Sequence, residues 1–164
     1  MPRTVYIKTT IPGAYFDERD DVVSRFQRHQ ARLWWTACRP EYEVYASEAV
    51  LAELRQGVFP RQDEALSLLD GVQILPVSEE IRGVARAYVE HLVMPAGQMG
   101  DSFHPAFACV HAMDYLLTWN CRHLANPRKV RHITEINRRL GLLTPTILTP
   151  NMLVEEDADE QPRD

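Results

Sequence analysis

The run Thr4-Val5-Tyr6-Ile7-Lys8 near the start of the chain begins the pattern of strands and helices from which the fold is predicted. Its β-branched and aromatic residues are typical of a buried strand, and the residues that follow, Thr9, Thr10 and Pro12, end the run. The sequence therefore predicts a buried first strand over residues 4–7, with Lys8 at its C-terminal end.

Apolar periodicity predicts that strands and helices alternate along the rest of the chain. Further strands are predicted over residues 42–46, 72–77, 115–118 and 146–148. Helices are predicted over residues 20–38, 47–57, 61–70, 78–93, 103–113 and 127–140, and residues 95–100 are predicted to form a loop. This alternation is typical of an α/β fold with a central parallel sheet covered on both faces. Ligands bind such sheets beyond the carboxyl ends of the strands.

Composition and charge predict one globular domain with an acidic tail. The chain has 164 residues, 45% of them hydrophobic and 25% charged, which is typical of a globular protein. Residues 155–164 hold six acids and one arginine, which leaves 17 basic and 17 acidic residues for positions 1–154. We predict a domain over residues 1–154 and a disordered tail over residues 155–164. The neutral body neither supports nor excludes binding to RNA.

Several classes of site are excluded because their motifs are absent from the sequence. There is no glycine-rich phosphate loop, no G-x-S-x-G elbow and no H-E-x-x-H helix. Cys38, Cys109 and Cys121 are isolated from one another, and we expect them to be buried thiols. No run approaches the roughly 18 apolar residues of a membrane span, and no signal segment is evident, so we expect a cytoplasmic protein without a membrane partner.

Three oxygen-bearing side chains come from different elements that end at one edge of the predicted sheet: Glu53, Asp101 and Asn120. Carboxylate and amide oxygens are the ligands that Mg²⁺ and Mn²⁺ prefer. Each residue also has a simpler interpretation, because Glu53 can be an exposed acid in an ion pair and Asp101 can be the N-cap of the next helix. Asp114 precedes a strand and is therefore expected at the opposite edge.

Four segments resemble the PIN-domain family. Residues 5–12, VYIKTTIP, resemble the opening Y-[IL]-E-T-T-I-P of one branch. Residues 47–57, SEAVLAELRQG, residues 100–104, GDSFH, and residues 113–126, MDYLLTWNCRHLAN, resemble later motifs of that branch in the same order. The resemblance implies a three-layer α/β/α sandwich and a Mg²⁺- or Mn²⁺-dependent ribonuclease. It also implies a VapC-like toxin with an antitoxin protein as partner, and a homodimer.

The same resemblance assigns roles to individual residues. It implies that Glu53 and Asp101 are metal ligands and, with Asn120, the catalytic residues. The chain departs from the pattern at Lys8, which replaces an acid of the first strand, and at Pro105, which replaces an aliphatic residue. An ammonium group beside Glu53 and Asp101 favours their ionised forms and repels a divalent ion.

Two functions therefore follow from the sequence. The first is a divalent-metal-dependent ribonuclease, and the second is a catalytically impaired PIN-like protein that binds RNA or a protein. Arg122, Arg128, Lys129 and Arg131 are candidates for RNA contact, and the alternative is that they form a solvated face.

The histidine and tryptophan side chains are predicted to have structural roles. His104 and His123 are expected to be satisfied by hydrogen bonds to nearby backbone rather than to act as catalysts. Trp34 is expected in the core and Trp35 at an interface.

Overall fold

The computed structural model describes residues 2–91, 93 and 99–160, and the described residues form five strands. The strands are β1 (Arg3–Ile7), β2 (Tyr42–Ser47), β3 (Gln73–Leu75), β4 (Tyr115–Leu117) and β5 (Thr146–Leu148). They make one sheet in the order β3-β2-β1-β4-β5, and every neighbouring pair is parallel. β1 is therefore the central strand, as its run of apolar residues indicates.

Helices cover the sheet in two groups. The described helices are α1 (Thr10–Tyr15), α2 (Val22–Leu33), α3 (Glu48–Arg55), α4 (Gln62–Leu68), α5 (Glu79–Glu90), α6 (Met99–Val110), α7 (Pro127–Leu140) and α8 (Pro150–Glu160). α2 packs against α1 and α8, whereas α5 packs against α6 and α7. None of the described helices is long and apolar enough to cross a membrane.

The core lies on both sides of β1. Val5, Tyr6 and Ile7 have no solvent exposure, and the Tyr6 ring stacks on Phe107 of α6 with centroids 6.0 Å apart. Because side chains alternate along a strand, Val5 and Ile7 point to the other layer. The prediction of an α/β fold with a central parallel sheet is confirmed.

Local signals placed several elements correctly. Ser47 caps α3 and Ser78 caps α5, as predicted. Each serine side chain accepts a hydrogen bond from the backbone N–H three residues later in the chain. α7 and β5 have the predicted bounds, and Gly141 ends α7 in a left-handed conformation with φ 72°. Trp34 is fully buried and Trp35 is partly buried, which agrees with the expected core position of Trp34.

The helix predicted over residues 20–38 is confirmed in extent, but its last turn is π-helical and its first turn is exposed. α2 ends at Leu33, and a π-helical segment (Trp34–Cys38) and a short 3-10 turn (Arg39–Glu41) lead to β2. Val22, Val23 and Phe26 of this amphipathic helix are 75%, 62% and 48% exposed, so these apolar side chains are not part of the core.

α6 begins earlier than predicted, and this changes the role of Asp101. The helix begins at Met99, so Asp101 lies in its first turn and is not its N-cap. Met99 and Gly100 are helical rather than part of a loop, and residues 95–98 of the predicted loop lie outside the described residues. Pro105 lies inside the helix, and since it has no N–H it leaves the carbonyl of Asp101 without its helical partner.

Residues 155–160 do not form the predicted disordered tail, because they continue α8, and residues 161–164 lie outside the described residues. Asp157 of α8 accepts hydrogen bonds from the Arg3 guanidinium at 2.8 Å and from the Tyr42 hydroxyl at 2.6 Å. The guanidinium lies 5.0 Å and 5.6 Å from the ring centroids of Tyr42 and Tyr115, and the Tyr115 hydroxyl donates to Glu156. Pairing with basic and aromatic groups therefore orders acids whose sequence alone indicated disorder.

The cysteines differ from one another. All three are free thiols, and Cys38 and Cys109 are buried as expected. Cys121 is exposed, because it lies in the loop that follows β4 rather than in the core.

Replacing Arg3 with Met should destabilise the protein by about 1–3 kcal/mol, because Asp157 would lose its cation while its side chain remains mostly buried. Urea unfolding followed by circular dichroism measures this change. Arg82→Met is the matched control, since Arg82 pairs with Glu79 on an exposed helix face and should change stability little. Equal effects of the two substitutions would contradict the proposed role of Arg3.

Candidate functional site

Lys8 lies directly after β1, at the carboxyl edge of the sheet. Its backbone N–H donates to the carbonyl of Leu117, so the strand pairing with β4 holds the residue in place. Lys8 is 4% exposed, and its Nζ donates to Oδ1 of Asp101 at 3.3 Å. The ammonium group is thus buried against a carboxylate and does not extend into solvent.

Glu53 reaches the same edge from α3. Its Oε1 accepts a hydrogen bond from Nε2 of His104 at 2.7 Å, and its Oε2 accepts one from the hydroxyl of Thr9. Burial raises the pKa of Glu53, but the bonds from His104 and Thr9 and the charge of Lys8 outweigh it, so the pKa is lowered overall. Glu53 is therefore an ionised carboxylate with both oxygens engaged.

A buried chain of hydrogen bonds supports Glu53 from behind. The Tyr6 hydroxyl lies 2.7 Å from Oγ of Ser47 and 2.8 Å from Nδ1 of His104. Every group is satisfied when Ser47 donates to Tyr6, Tyr6 donates to Nδ1, and the Nε2–H of His104 donates to Glu53. Burial raises the pKa of Tyr6, so its hydroxyl keeps the proton that this chain needs.

His104 consequently positions Glu53 and does not contact a ligand. It has no solvent exposure and both of its ring nitrogens are used. The expectation that nearby backbone satisfies His104 is wrong, since its partners are the side chains of Tyr6 and Glu53. Its place one turn after Asp101 explains this, because α6 directs both residues toward the end of β1.

Asn120 belongs to a neighbouring part of the same edge. The Thr10 hydroxyl lies 3.3 Å from that of Thr118 and accepts from the Trp119 N–H at 3.0 Å. The Thr118 hydroxyl accepts from the backbone N–H of Asn120, and Oδ1 of Asn120 accepts from the backbone N–H of His123. Asn120 thus orders the loop after β4, and Thr9 and Thr10 connect this loop to the acidic cluster.

The structure brings together Lys8, Glu53 and Asp101, whereas Asn120 bonds to Thr118, whose hydroxyl lies near that of Thr10. Asp114 lies at the opposite edge, where it accepts from the backbone N–H of Thr4 at 2.8 Å, as predicted. Sequence reasoning did not identify the supporting residues Tyr6, Thr9 and Ser47. Two hydroxyl residues directly after a buried strand were a usable signal for Thr9.

The candidate RNA-contact residues differ in availability. Arg122, Arg128 and Arg131 are exposed, and among the described residues they form no ion pair. Lys129 instead donates from Nζ to the carbonyl of Val93 at 2.6 Å. Three of the four side chains are therefore free to meet a phosphate, while the fourth joins α7 to the end of the α5 segment.

A divalent metal ion, which the family resemblance implies, does not fit these residues. Both oxygens of Glu53 accept hydrogen bonds, and Asp101 faces the ammonium of Lys8. That ammonium would offset part of the attraction that the two carboxylates exert on a divalent ion. Across residues 2–91, 93 and 99–160, no three His, Cys, Asp or Glu side chains are grouped so that they could hold a metal.

Comparisons with known proteins give a likeness of fold. No protein-family model matches the sequence, and no curated protein matches it. The solved structure of VapBC2 from Rickettsia felis, bound to a DNA fragment from its promoter, is similar with a TM-score of 0.51 and 17% identity. The match covers 89% of this chain and 98% of that chain.

VapC20 from Mycobacterium tuberculosis, a toxin that cleaves the sarcin-ricin loop, is similar with a TM-score of 0.53 and 16% identity. The match covers 73% of this chain and 92% of that chain. At these identities the likeness shows the fold, and the predicted PIN-like sandwich is confirmed.

The stability of the wild type should depend on the ionisation of Glu53, whose pKa in the folded state lies below its ordinary value of 4.5. The stabilisation is complete above that ordinary value and is lost as pH falls through the lowered pKa. Wild type should therefore be more stable than Glu53→Gln at pH 7, and the difference should narrow between about pH 5 and pH 3. Urea unfolding of both proteins across this pH range measures the difference. A difference in the free energy of unfolding that does not change with pH would contradict the lowered pKa of Glu53.

Proposed function

We propose that this chain is a PIN-fold protein that binds RNA without cleaving it by divalent-metal chemistry. The observation that carries the proposal is the buried ion pair between Lys8 and Asp101, with the ammonium 3.3 Å from the carboxylate. Lys8 supplies, from within the chain, the positive charge that a metal ion would otherwise bring to the acids. Lys8 therefore offsets one of the two negative charges of the pocket as the chain folds.

The change at Lys8 also alters how the edge of the sheet meets a phosphate. Lys8, Glu53 and Asp101 together carry a formal charge of −1, whereas an acid in place of Lys8 would make it −3. A less negative edge repels an RNA backbone less, even without a metal ion. With 5% of its side chain exposed, Lys8 acts through its field rather than by direct contact with RNA.

Exposed arginines supply the direct contacts in this proposal. Arg122 lies in the loop after β4, and Arg128 lies in the first turn of α7, which begins at the same edge. Arg131 lies one turn further along and lines a cavity of about 510 Å³ with Arg128. One guanidinium group can donate to two oxygens of the same phosphate. These arginines can therefore hold an RNA backbone across the carboxyl edge of the sheet.

The second candidate function is a Mg²⁺- or Mn²⁺-dependent ribonuclease. It is favoured by the closeness of Glu53 and Asp101, which both interact with the ammonium group of Lys8. Their side chains are 32% and 29% exposed, so solvent can reach both carboxylates. The fold that the chain shares with a sarcin-ricin-loop cleaving toxin is consistent with it. It requires that Lys8 leave the site, and Glu53, Asp101 and Asn120 would then be the residues to test.

A toxin role, an antitoxin partner and a homodimer stay predictions. The similar VapBC2 structure is a complex bound to promoter DNA, which makes a protein partner worth testing here. The exposed apolar residues Val22, Val23 and Phe26 on α2 support such a partner, because adjacent large apolar side chains are typical of interaction surfaces. Cytoplasmic location likewise stays a prediction.

Millimolar Mg²⁺ or Mn²⁺ should leave the thermal stability of the wild type unchanged and should raise that of Lys8→Glu. A ligand that binds the folded state alone stabilises it by about 2.7 kcal/mol at 100 times its Kd. Differential scanning fluorimetry with and without EDTA measures the shift. Arg55→Glu, an equal charge change on an exposed part of α3, is the control and should show no metal response.

Metal-dependent stabilisation of the wild type, together with metal-dependent RNA cleavage, would overturn the first proposal in favour of the second. A metal response of Lys8→Glu alone supports the view that Lys8 replaces the ion.

Wild type should bind single-stranded RNA in EDTA with an affinity that falls as salt rises. Arg122→Gln and Arg131→Gln should each reduce the slope of log K against log salt by about 0.7, because each removes about one phosphate contact. Fluorescence anisotropy at several salt concentrations measures the slope. Arg86→Gln is the control, since Arg86 is an exposed arginine on α5, and a loss of slope in this variant would argue against a local contact surface.

A further inference from the structure

A cavity of about 490 Å³ lies beside the acidic cluster, between α1, α2 and the loop after β4. We call it the base cavity, and its lining includes Thr10, Gly13, Arg19, Gln27, Trp119 and Asn120. Its volume falls in the range of small-molecule sites. Its lining combines an aromatic ring, two amides and a glycine, and each of these has a distinct consequence.

Trp119 supplies an aromatic wall. The indole is partly exposed and lies edge-on to Phe26 of α2, with centroids 6.1 Å apart and planes at 69°. The bond from its backbone N–H to the Thr10 hydroxyl fixes the residue against the end of β1. A held, partly exposed indole is a surface on which a planar ring can stack.

Two amide groups in the cavity have hydrogen-bonding capacity to spare. Oδ1 of Asn120 accepts from His123, but its side-chain N–H₂ donates to no group in the described part of the chain. The Gln27 side chain likewise makes no hydrogen bond with any described residue. Amides that offer donors and acceptors together match the edges of nucleobases.

The charge at the rim is already balanced. Arg19 donates to both carboxylate oxygens of Asp17, at 2.7 Å for the shortest contact, and its hydrogen bond is the largest cause of the lowered pKa of Asp17. The cavity therefore presents no unpaired charge from this pair. An uncharged ring fits it better than a phosphate does.

The floor of the cavity is open because residue 13 is glycine. A Cβ placed on Gly13 would meet nothing within 4 Å, and the helical backbone of α1 accepts any side chain there. Because a Cβ at residue 13 enters open space, a leucine at this position is expected to take up part of the cavity.

The base cavity adjoins the surface proposed to bind RNA. Thr10 lines it, and the preceding residue Thr9 donates to Glu53 of the acidic cluster. Arg122 follows Trp119 by three residues in the same loop. A nucleotide whose base occupies the cavity would therefore have its phosphate near an exposed guanidinium.

From this arrangement we infer that the cavity beside Trp119 binds one unpaired nucleobase of a single-stranded RNA, stacked on the indole and held by Asn120 and Gln27. This inference rests on the proposed RNA-binding function and names the ligand of that site more closely. The same ring chemistry occurs in free nucleotides, which the experiment separates from RNA.

The test compares wild type with Gly13→Leu, which fills the cavity, and with Gly83→Leu, a matched change at a helical glycine of α5 that also meets nothing within 4 Å. Each protein is titrated in EDTA with an eight-nucleotide oligouridine and with an abasic sugar-phosphate chain of the same length. Fluorescence anisotropy reports both affinities. Gly13→Leu should weaken oligouridine binding about tenfold or more and should bind the abasic chain as wild type does. Gly83→Leu should bind both chains with the affinities of wild type.

A second measurement uses the free nucleotides UMP and AMP. They should quench tryptophan fluorescence in wild type and Gly83→Leu, and should not do so in Gly13→Leu or in Trp119→Phe. Quenching that survives in both of these variants would overturn the inference.

The outcomes separate the two proposals. If Gly13→Leu binds oligouridine as wild type does, the cavity inference is wrong while RNA binding stands. If wild type binds neither oligonucleotide but nucleotide quenching depends on Gly13 and Trp119, the proposed RNA function is wrong while the cavity still takes a base. If neither signal occurs, both proposals are overturned.

Discussion

The ammonium group of Lys8 is held in a nearly closed environment at the end of the central strand, 3.3 Å from a carboxylate oxygen of Asp101. A charge in such a place must be paired, because burial without a partner costs several kcal/mol. Asp101 supplies the pairing from α6, and Glu53 adds its field from α3. The three elements that meet at this edge are therefore joined by one electrostatic constraint.

The surrounding residues determine what this constraint leaves available for function. His104 and Thr9 engage both oxygens of Glu53, and Tyr6 and Ser47 orient His104 from inside the core. A cluster in which both oxygens of Glu53 are engaged and Asp101 faces an ammonium group has little capacity left for a divalent ion. The cavity beside Trp119 and the exposed arginines around it are the parts of the edge that remain open to a ligand.

Much of this arrangement could be predicted from sequence, because it depends on short-range patterns. Alternating strands and helices imply a parallel sheet, and the carboxyl ends of parallel strands meet at one edge. That rule, together with the family resemblance, led us to expect Lys8, Glu53 and Asp101 at one edge. It could not identify His104 as the partner of Glu53, since that contact depends on α6 beginning at Met99 and on the path of the helix past Pro105.

The sequence by itself determined the order of the elements, the buried central strand and the presence of an amine among the acids. Those features follow from apolar periodicity and from residue identity, which are local properties of the chain. Only the tertiary structure decided which carboxylate pairs with Lys8, that Val22, Val23 and Phe26 face solvent, and that residues 155–160 join α8. Each of these depends on distances between residues far apart in the chain. The free energy of an ion pair or of a buried side chain depends on those distances and not on sequence neighbours.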